Sequence, residues 1–302
     1  MNAGRNHGGK PLKDGFTLVE LLVVIAVIAI LAALLLPSLI RAKQKAQAVY
    51  CMNNGHQLMF ATHLYASDNH DWLPPNEVWL TNGPSLGGGL NSTSSDNLMW
   101  LSCNMSEANG ATNVVEMLYA EGSKLVPYSS TQYKLYKCPA DKSTWTDPAG
   151  AQFPTARTYS MNGAVGTEPY VLQAVSGAWL DGAGKATTKP WQTYGKLSDI
   201  ADPSPSSLWV FIDEARYSME EACFGICMLT PTRMVNWPGT YHNFGAMLTY
   251  ADCHSEVHKW SDPRTKSPPG VVETYTLTTK VVANPDNADI VWLQQRTSAL
   301  KP

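Results

Sequence analysis

GFTLVELLVVIAVIAILAALLLP, residues 15–37, is the stretch whose reading decides the fold. From Leu21 to Leu36, sixteen successive residues carry no polar side chain. Counted from Phe16, the run would make about 31 Å of helix, the depth of one bilayer core. The segment before it, MNAGRNHGGKPLKDG, is short, polar and glycine-rich, with Arg5, Lys10 and Lys13 against Asp14. A secretory signal peptide needs a small-residue cleavage site after its apolar core, and LLLPSLIRAK (34–43) supplies none. A plain membrane anchor accounts for the length but gives no reason for Glu20, because a charge placed in lipid costs a few kcal/mol. Charge does not orient the span either. Arg5, Lys10 and Lys13 precede it and Arg41, Lys43 and Lys45 follow it, a tie under the positive-inside rule.

Downstream, Ser38 to about Ala66 continues as helix. It is alanine-rich, with Arg41, Lys43, Lys45 and Gln47 on an exposed face and Leu58, Met59 and Tyr65 available for packing. Pro37 removes one backbone donor and is expected to kink the rod rather than end it. Asp68-Asn69-His70-Asp71 stops the helix, and Pro74-Pro75 forbids its continuation. After that, proline and glycine punctuate short apolar runs, which predicts β-rich structure with long loops. Expected strands are Leu208–Asp213, Ala246–Ala251, Glu256–Trp260 and Val272–Val282, with loops at Thr81–Asn97 and Ser176–Pro190.

The 302 residues are 44% hydrophobic and only 16% charged, with ten Trp and thirteen Tyr, so a sizeable core is affordable and global disorder is excluded. A formal net charge of −3 and a pI near 6.2 give no basic excess, and no nucleic-acid partner is expected. Six cysteines are too sparse for a disulfide-dense scaffold but suffice for a few bridges in an oxidising compartment.

No nucleophile elbow, P-loop, HExxH or dinucleotide fingerprint is present, and an enzyme is not expected. His56, His63 and His70 stand seven apart, a rise of about 10.5 Å on a helix, too far for one metal ion. Asp252, His254, Glu256 and His258 alternate along an expected strand and share a face. They could join His242 or Asp213-Glu214 around a metal, or form the solvated face of a strand whose other side (Ala251, Cys253, Val257) packs inward. Asp213, His242 and Asp252 are the metal candidates from this set, and calcium would favour the two aspartates with backbone carbonyls. Asp286-Asn287-Ala288-Asp289 is a second acidic loop with calcium potential, lacking EF-hand spacing. Cys223 and Cys227 are not a CxxC pair. Trp72, Trp79 and Trp100 flank the Gly/Ser/Asn loop where an aromatic sugar-stacking platform could sit, whereas Trp209 and Trp260 are expected in the core.

Gly15-Phe16-Thr17-Leu18-Val19-Glu20 followed by the apolar run resembles the N-terminus of type IV pilins and type II secretion pseudopilins. The resemblance implies cleavage after Gly15 by a prepilin peptidase and N-methylation of Phe16. It implies that Glu20 pairs with the Phe16 amine of a neighbouring subunit during assembly. It also places the leader in the cytoplasm, the span in the inner membrane and the body in the periplasm or outside. Expected partners are the prepilin peptidase/N-methyltransferase and other pseudopilin subunits.

A second resemblance covers much of the body. Cys51-Met-Asn-Asn-Gly-His-Gln-Leu, Leu64-Tyr-Ala-Ser-Asp-Asn, Tyr136-Lys-Cys-Pro-Ala-Asp141 and Tyr159-Ser-Met-Asn162 resemble large pseudopilin-like proteins with a processing-associated C-terminal motif. So does the closing Asn284–Gln295 stretch. The motif is His, nine residues, Asp-Gly; here His242 and Asp252 fit, but Cys253 stands in place of the glycine, and the turn that glycine would allow is expected to tighten or be lost. Because Cys51 and Cys138 lie in the resembling segments, they are the favoured disulfide pair, the alternative being two buried thiols. Pseudopilins of this kind sometimes hold calcium in a C-terminal loop.

The expected fold is therefore pilin-like α+β, a long N-terminal helix packed through its second half on an antiparallel sheet with long loops. Its divisions are a leader (1–15), a membrane and assembly helix (16–37), the helix continuing into the body (38–66) and a β-rich domain (67–302). The expected role is a structural subunit of a type II secretion-like pseudopilus or a type IV pilus-like fibre. The alternative is a membrane-anchored extracytoplasmic binding protein, for carbohydrate among other ligands, that does not polymerise.

Overall fold

One helix, α1, runs from Leu18 to Asp68, and Pro37 does not end it. Proline brings no N–H to the ladder, so the Ala33 carbonyl loses its usual donor; nearby, the Ser38 hydroxyl donates to the Leu35 carbonyl at 2.7 Å. The C-terminal end follows from sequence as expected. His70 takes a left-handed φ of 55°, and the Asp71 N–H returns to the Ala66 carbonyl at 2.8 Å, a Schellman closure with histidine in the place glycine usually fills.

The computed structural model describes residues 18–76, 99–101, 111–118, 122–129, 131–146, 149–169, 172–177, 180, 190–219, 222–229, 233–266, 280–281 and 286–302. Gly15, Phe16, Trp79, the loop 81–97, most of the loop 176–190 and all of the expected strand 272–282 except 280–281 lie outside these. The chain divides into two compact units, Met1–Lys45 and Ala46–Pro302. In the first, the described residues are the opening part of α1, from Leu18 to Lys45. It is long and apolar enough to cross a membrane, and its side chains from Leu18 to Leu36 are exposed except for a half-buried Ala32.

In the second unit, α1 buries Cys51, Asn54, Gly55, Leu58, Met59, Thr62 and Ala66. These recur every three or four residues, so they form one stripe. The strands are β1 (Thr144–Thr146), β2 (Gln152–Pro154), β3 (Tyr159–Asn162), β4 (Trp209–Asp213), β5 (Cys223–Phe224), β6 (Arg233–Met234), β7 (Gly245–Tyr250), β8 (Ser255–Lys259) and β9 (Lys280–Val281). Five form the main sheet in the order β5-β3-β4-β7-β8. It is antiparallel except for the β3–β5 pair, which is parallel and makes the sheet mixed at one edge. The expected runs at 208–213, 246–251 and 256–260 thus appear as β4, β7 and β8, each shifted by about one residue.

Position in the sheet explains composition. Central β4, WVFID, is buried at all five positions, as a strand covered on both faces requires. Edge strand β8, SEVHK, is only partly buried and carries the charge. Trp100 meets Phe211 edge-on at 5.0 Å and Trp209 meets Phe224 at 5.6 Å. The Trp209 indole N–H donates to Thr297 Oγ1 at 3.0 Å and that of Trp260 to the Gly239 carbonyl at 2.8 Å. Both are core residues, as expected, with their polar atoms satisfied.

Candidate functional site

Cys51 and Gly55 are one helical turn apart on the buried stripe of α1. A β-carbon at Gly55 would overlap Thr249 Oγ1 and stand 2.7 Å from Met247 Sδ, so only glycine lets the helix sit this close to β7. That approach carries the Cys51 thiol down to the end of the sheet. There it meets Cys138, from the loop after the 3-10 turn Tyr133–Tyr136, Asp213, the last residue of β4, and His242, from the turn before β7. All four are buried, and their ligating atoms lie within 4.8 Å of one another.

Local structure fixes each side chain. The β3–β4 register sets Tyr159 opposite Asp213. Asp213 Oδ2 accepts the Met247 N–H at 2.9 Å, and the Asp213 carbonyl accepts from Gly239 N at 2.7 Å. Cys138 N donates to Thr158 Oγ1 at 3.2 Å. His242 precedes two left-handed residues, Asn243 (φ 53°) and Phe244 (φ 60°), and its N–H closes the turn onto the Gly245 carbonyl at 3.1 Å.

The contacts inside the cluster are short and shared. Cys51 Sγ lies 3.4 Å and 3.6 Å from the two Asp213 oxygens and 3.1 Å from the Tyr159 hydroxyl. His242 Nε2 lies 3.2 Å from Asp213 Oδ2 and 3.3 Å from Cys138 Sγ. Its Nδ1 is buried without a hydrogen-bond partner among the described residues, so the ring is oriented by the cluster alone. Asn54 Nδ2 donates to the Tyr159 hydroxyl at 3.3 Å and completes the outer layer.

Electrostatics follow the packing. Burial, reinforced by Cys138 and Asp213, pushes the Cys51 thiol well up. Burial also opposes ionisation of Cys138, but hydrogen bonds from Cys51 and His242 outweigh it and bring that thiol down. Burial alone would lower the His242 imidazole; its hydrogen bonds to Asp213 and Cys138 prevail and hold it up at about 10. Two sulfurs, one imidazole nitrogen and one carboxylate form a borderline-soft donor set, suited to a transition metal and ill-suited to calcium.

Of the metal candidates read from sequence, the structure brings Asp213 and His242 together and adds both cysteines of the expected disulfide, whose thiols are unbridged. Asp252 is elsewhere, in the β7–β8 hairpin, where its N–H donates to the Pro205 carbonyl and its Oδ1 accepts from His254 N at 3.1 Å. The expected four-residue face on β8 does not form, because Asp252 and His254 belong to that turn. Glu256 instead accepts from the Tyr250 hydroxyl at 2.7 Å, and His258 stacks on Trp292 at 3.7 Å. Cys253 takes φ 75°, so the turn survives without its glycine, contrary to expectation. Glu214 turns to another network, accepting from Ser160, Ser218 and Asn236, and burial raises its carboxyl to about 7.

Other candidates settle into structural roles. Asn287 caps the helix Ala288–Gln294, and Asp289 accepts from the Ser261 and Asp262 N–H groups at 2.9 Å each. His63 Nε2 lies 2.9 Å from the Ala251 carbonyl, and His56 is exposed. Cys223 and Cys227 are buried. Trp100 is fully buried with its indole N–H donating to the Ala222 carbonyl at 2.9 Å, so it offers no sugar-stacking face. Trp72 is half-buried with the Lys196 ammonium 4.6 Å from its ring centroid.

Residues 11–36 match the family model of the prokaryotic N-terminal methylation motif. The chain is 41% identical over 69 residues to the type IV wide pilus major component PilA4 of Thermus thermophilus, covering 23% of this chain and 53% of that protein. It is 38% identical over 63 residues to the type II secretion system core protein G of Escherichia coli, covering 21% of this chain and 43% of that protein. The chain thus spans about half the length of the curated relatives it matches. No solved structure gives a significant match. With a methylation motif at residues 11–36 and a long apolar helix from Leu18, the chain is similar over part of its length to a type IV pilin and a type II secretion core protein.

Proposed function

We propose that this chain is a membrane-inserted precursor that a prepilin peptidase cleaves after Gly15 and methylates on the new Phe16 amine. It then assembles through α1, with other pseudopilin-type subunits, into a type II secretion-like pseudopilus or a type IV pilus-like fibre. The observation that carries this reading is the methylation motif over residues 11–36 set on an apolar helix whose side chains are exposed. Such a surface needs a solvent other than water, first lipid and then neighbouring helices. The span would hold the subunit in the inner membrane, with the body in the periplasm or outside the cell.

Intact mass of the protein from cells with an active prepilin peptidase tests the proposal. The expected mass lacks residues 1–15 and carries one methyl group. Replacing Gly15 by a bulky residue should leave the leader attached, since a small residue admits the scissile bond to the peptidase. A full-length mass for the unaltered protein would overturn the processing step.

A further inference from the structure

From the geometry of the buried cluster we infer that Cys51, Cys138, Asp213 and His242 form a structural zinc site that fastens α1 to the sheet. A tetrahedral Zn²⁺ with about 2.3 Å bonds to sulfur and about 2.0–2.1 Å bonds to nitrogen and oxygen has fixed edges between its ligands. These are about 3.5 Å from sulfur to oxygen or nitrogen and about 3.3 Å from nitrogen to oxygen. The observed separations are 3.6 Å from Cys51 Sγ to Asp213 Oδ2, 3.3 Å from Cys138 Sγ to His242 Nε2 and 3.2 Å from that nitrogen to the same carboxylate oxygen. Each is within about 0.2 Å of the corresponding edge.

The donor set and its surroundings point the same way. Four protein ligands with no exposed face fill a tetrahedron and leave no open coordination position, the mark of a structural rather than a catalytic zinc. The outer layer is in place at Cys51 and Asp213, while His242 Nδ1 has no partner among the described residues. The Tyr159 hydroxyl can donate to a Cys51 thiolate and Met247 N donates to Asp213, contacts that orient ligands and tune their basicity. Binding displaces one proton from each thiol and the Nε2 proton of His242, which stays as neutral imidazole, the protons passing to solvent. A disulfide between Cys51 and Cys138 would use neither Asp213 nor His242, whereas the metal uses all four groups. The inference does not rest on the filament reading, and a chain that never polymerised could still bind zinc here.

Metal analysis of the full chain, purified from membranes in detergent without chelator, tests the site. One zinc per chain is expected, and cobalt exchanged into it should give the ligand-field bands of a tetrahedral site together with thiolate-to-cobalt charge transfer. Cys138→Ser and His242→Ala should lose the metal. Tyr159→Phe should keep the fold and weaken affinity about ten- to hundredfold. Should the ligand variants fail to fold, the cobalt spectrum of the unaltered protein decides, because a spectrum without thiolate charge transfer overturns the site. It is equally overturned by a Cys51–Cys138 disulfide in the metal-free mature protein, by thiols that stay alkylatable in excess zinc, or by zinc retained in Cys138→Ser and His242→Ala.

Discussion

Gly55 on α1 lies against Thr249 on β7 so closely that a β-carbon on the first would overlap the hydroxyl of the second. Thr249 has no room to retreat, because it is fully buried and its hydroxyl is 2.8 Å from Ser255 Oγ and 3.1 Å from Met247 Sδ. Alanine is the better helix former by about 1 kcal/mol, while overpacking a filled core costs about 1–3 kcal/mol. At this contact the overlap should prevail. Gly55→Ala is expected to lower stability by about 1–2 kcal/mol in urea unfolding. Thr249→Ala should recover part of that loss, giving a coupling of at least about 0.5 kcal/mol in a double-mutant cycle. Strictly additive effects would show that the two residues do not meet.

Cys253 holds a left-handed backbone with a side chain that disfavours it. The cost of αL for a residue with a β-carbon is about 1–2 kcal/mol. Cys253→Gly should therefore raise stability by about 1 kcal/mol, less the contact the thiol makes at the core edge. A β-branched replacement, Cys253→Val, should lower it. Thermal melts of the three proteins check the order, and a glycine variant less stable than the parent would contradict the strain argument.

His258 is stacked on Trp292 and edge-on to Trp260, and burial there lowers its imidazole below the usual histidine range. Glu256 and Asp289 pull it up and Arg296 pushes it down, without reversing the sign. The folded chain then holds fewer protons at this position than the unfolded chain at and below about pH 6.5. The stability this residue contributes is present above that pH and is lost as the pH falls through the lowered folded value. His258→Phe keeps the stacked ring and removes the titration. The fall in Tm between about pH 7.5 and about pH 5 should be smaller in the variant than in the parent. Equal falls would show that His258 does not titrate differently on folding.

Glu20 separates assembly from anchoring. In a membrane the carboxylate is near enough to the start of the helix to reach the interface. In a fibre it would be packed among apolar helices, and the Phe16 amine that the proposed cleavage would create would be its cationic partner on an adjacent subunit. Removing one member of a desolvated pair strands the other at a cost of about 3–5 kcal/mol. Glu20→Leu should therefore insert normally while its yield in sheared fibres falls sharply. Wild-type yields from the variant would favour the anchored, non-polymerising alternative.

Sequence patterns that depend on near neighbours were readable. The apolar run 21–36, the stop at Asp68–Asp71 and the continuous WVFI of β4 each announce their element through composition within a few residues. The cluster was not readable in the same way. Cys51 and Cys138 suggested a bridge and Asp213 and His242 a metal, because nothing in a linear chain says that four residues spread over 192 positions share one point. What joins them is the glycine at 55 and the β3–β4 register, both tertiary facts. The false lead at Asp252 and His254 has a local cause: alternation predicts one face only while the strand lasts, and here a turn intervenes after Tyr250.

His242 and Asp252 do their separate jobs at the two ends of β7, the first in the buried cluster and the second in the hairpin turn. Six strand residues, about 20 Å of extended chain, lie between. The nine-residue interval is therefore a ruler for a strand, not a spacing between ligands. Adding one residue to β7 would exchange the directions of Met247 and Leu248 and turn one end or the other the wrong way. Adding two would restore the faces but carry the hairpin about 7 Å past Pro205, which now accepts the Asp252 N–H. A graft of this motif into another sheet would keep its meaning only where the receiving strand has the same length.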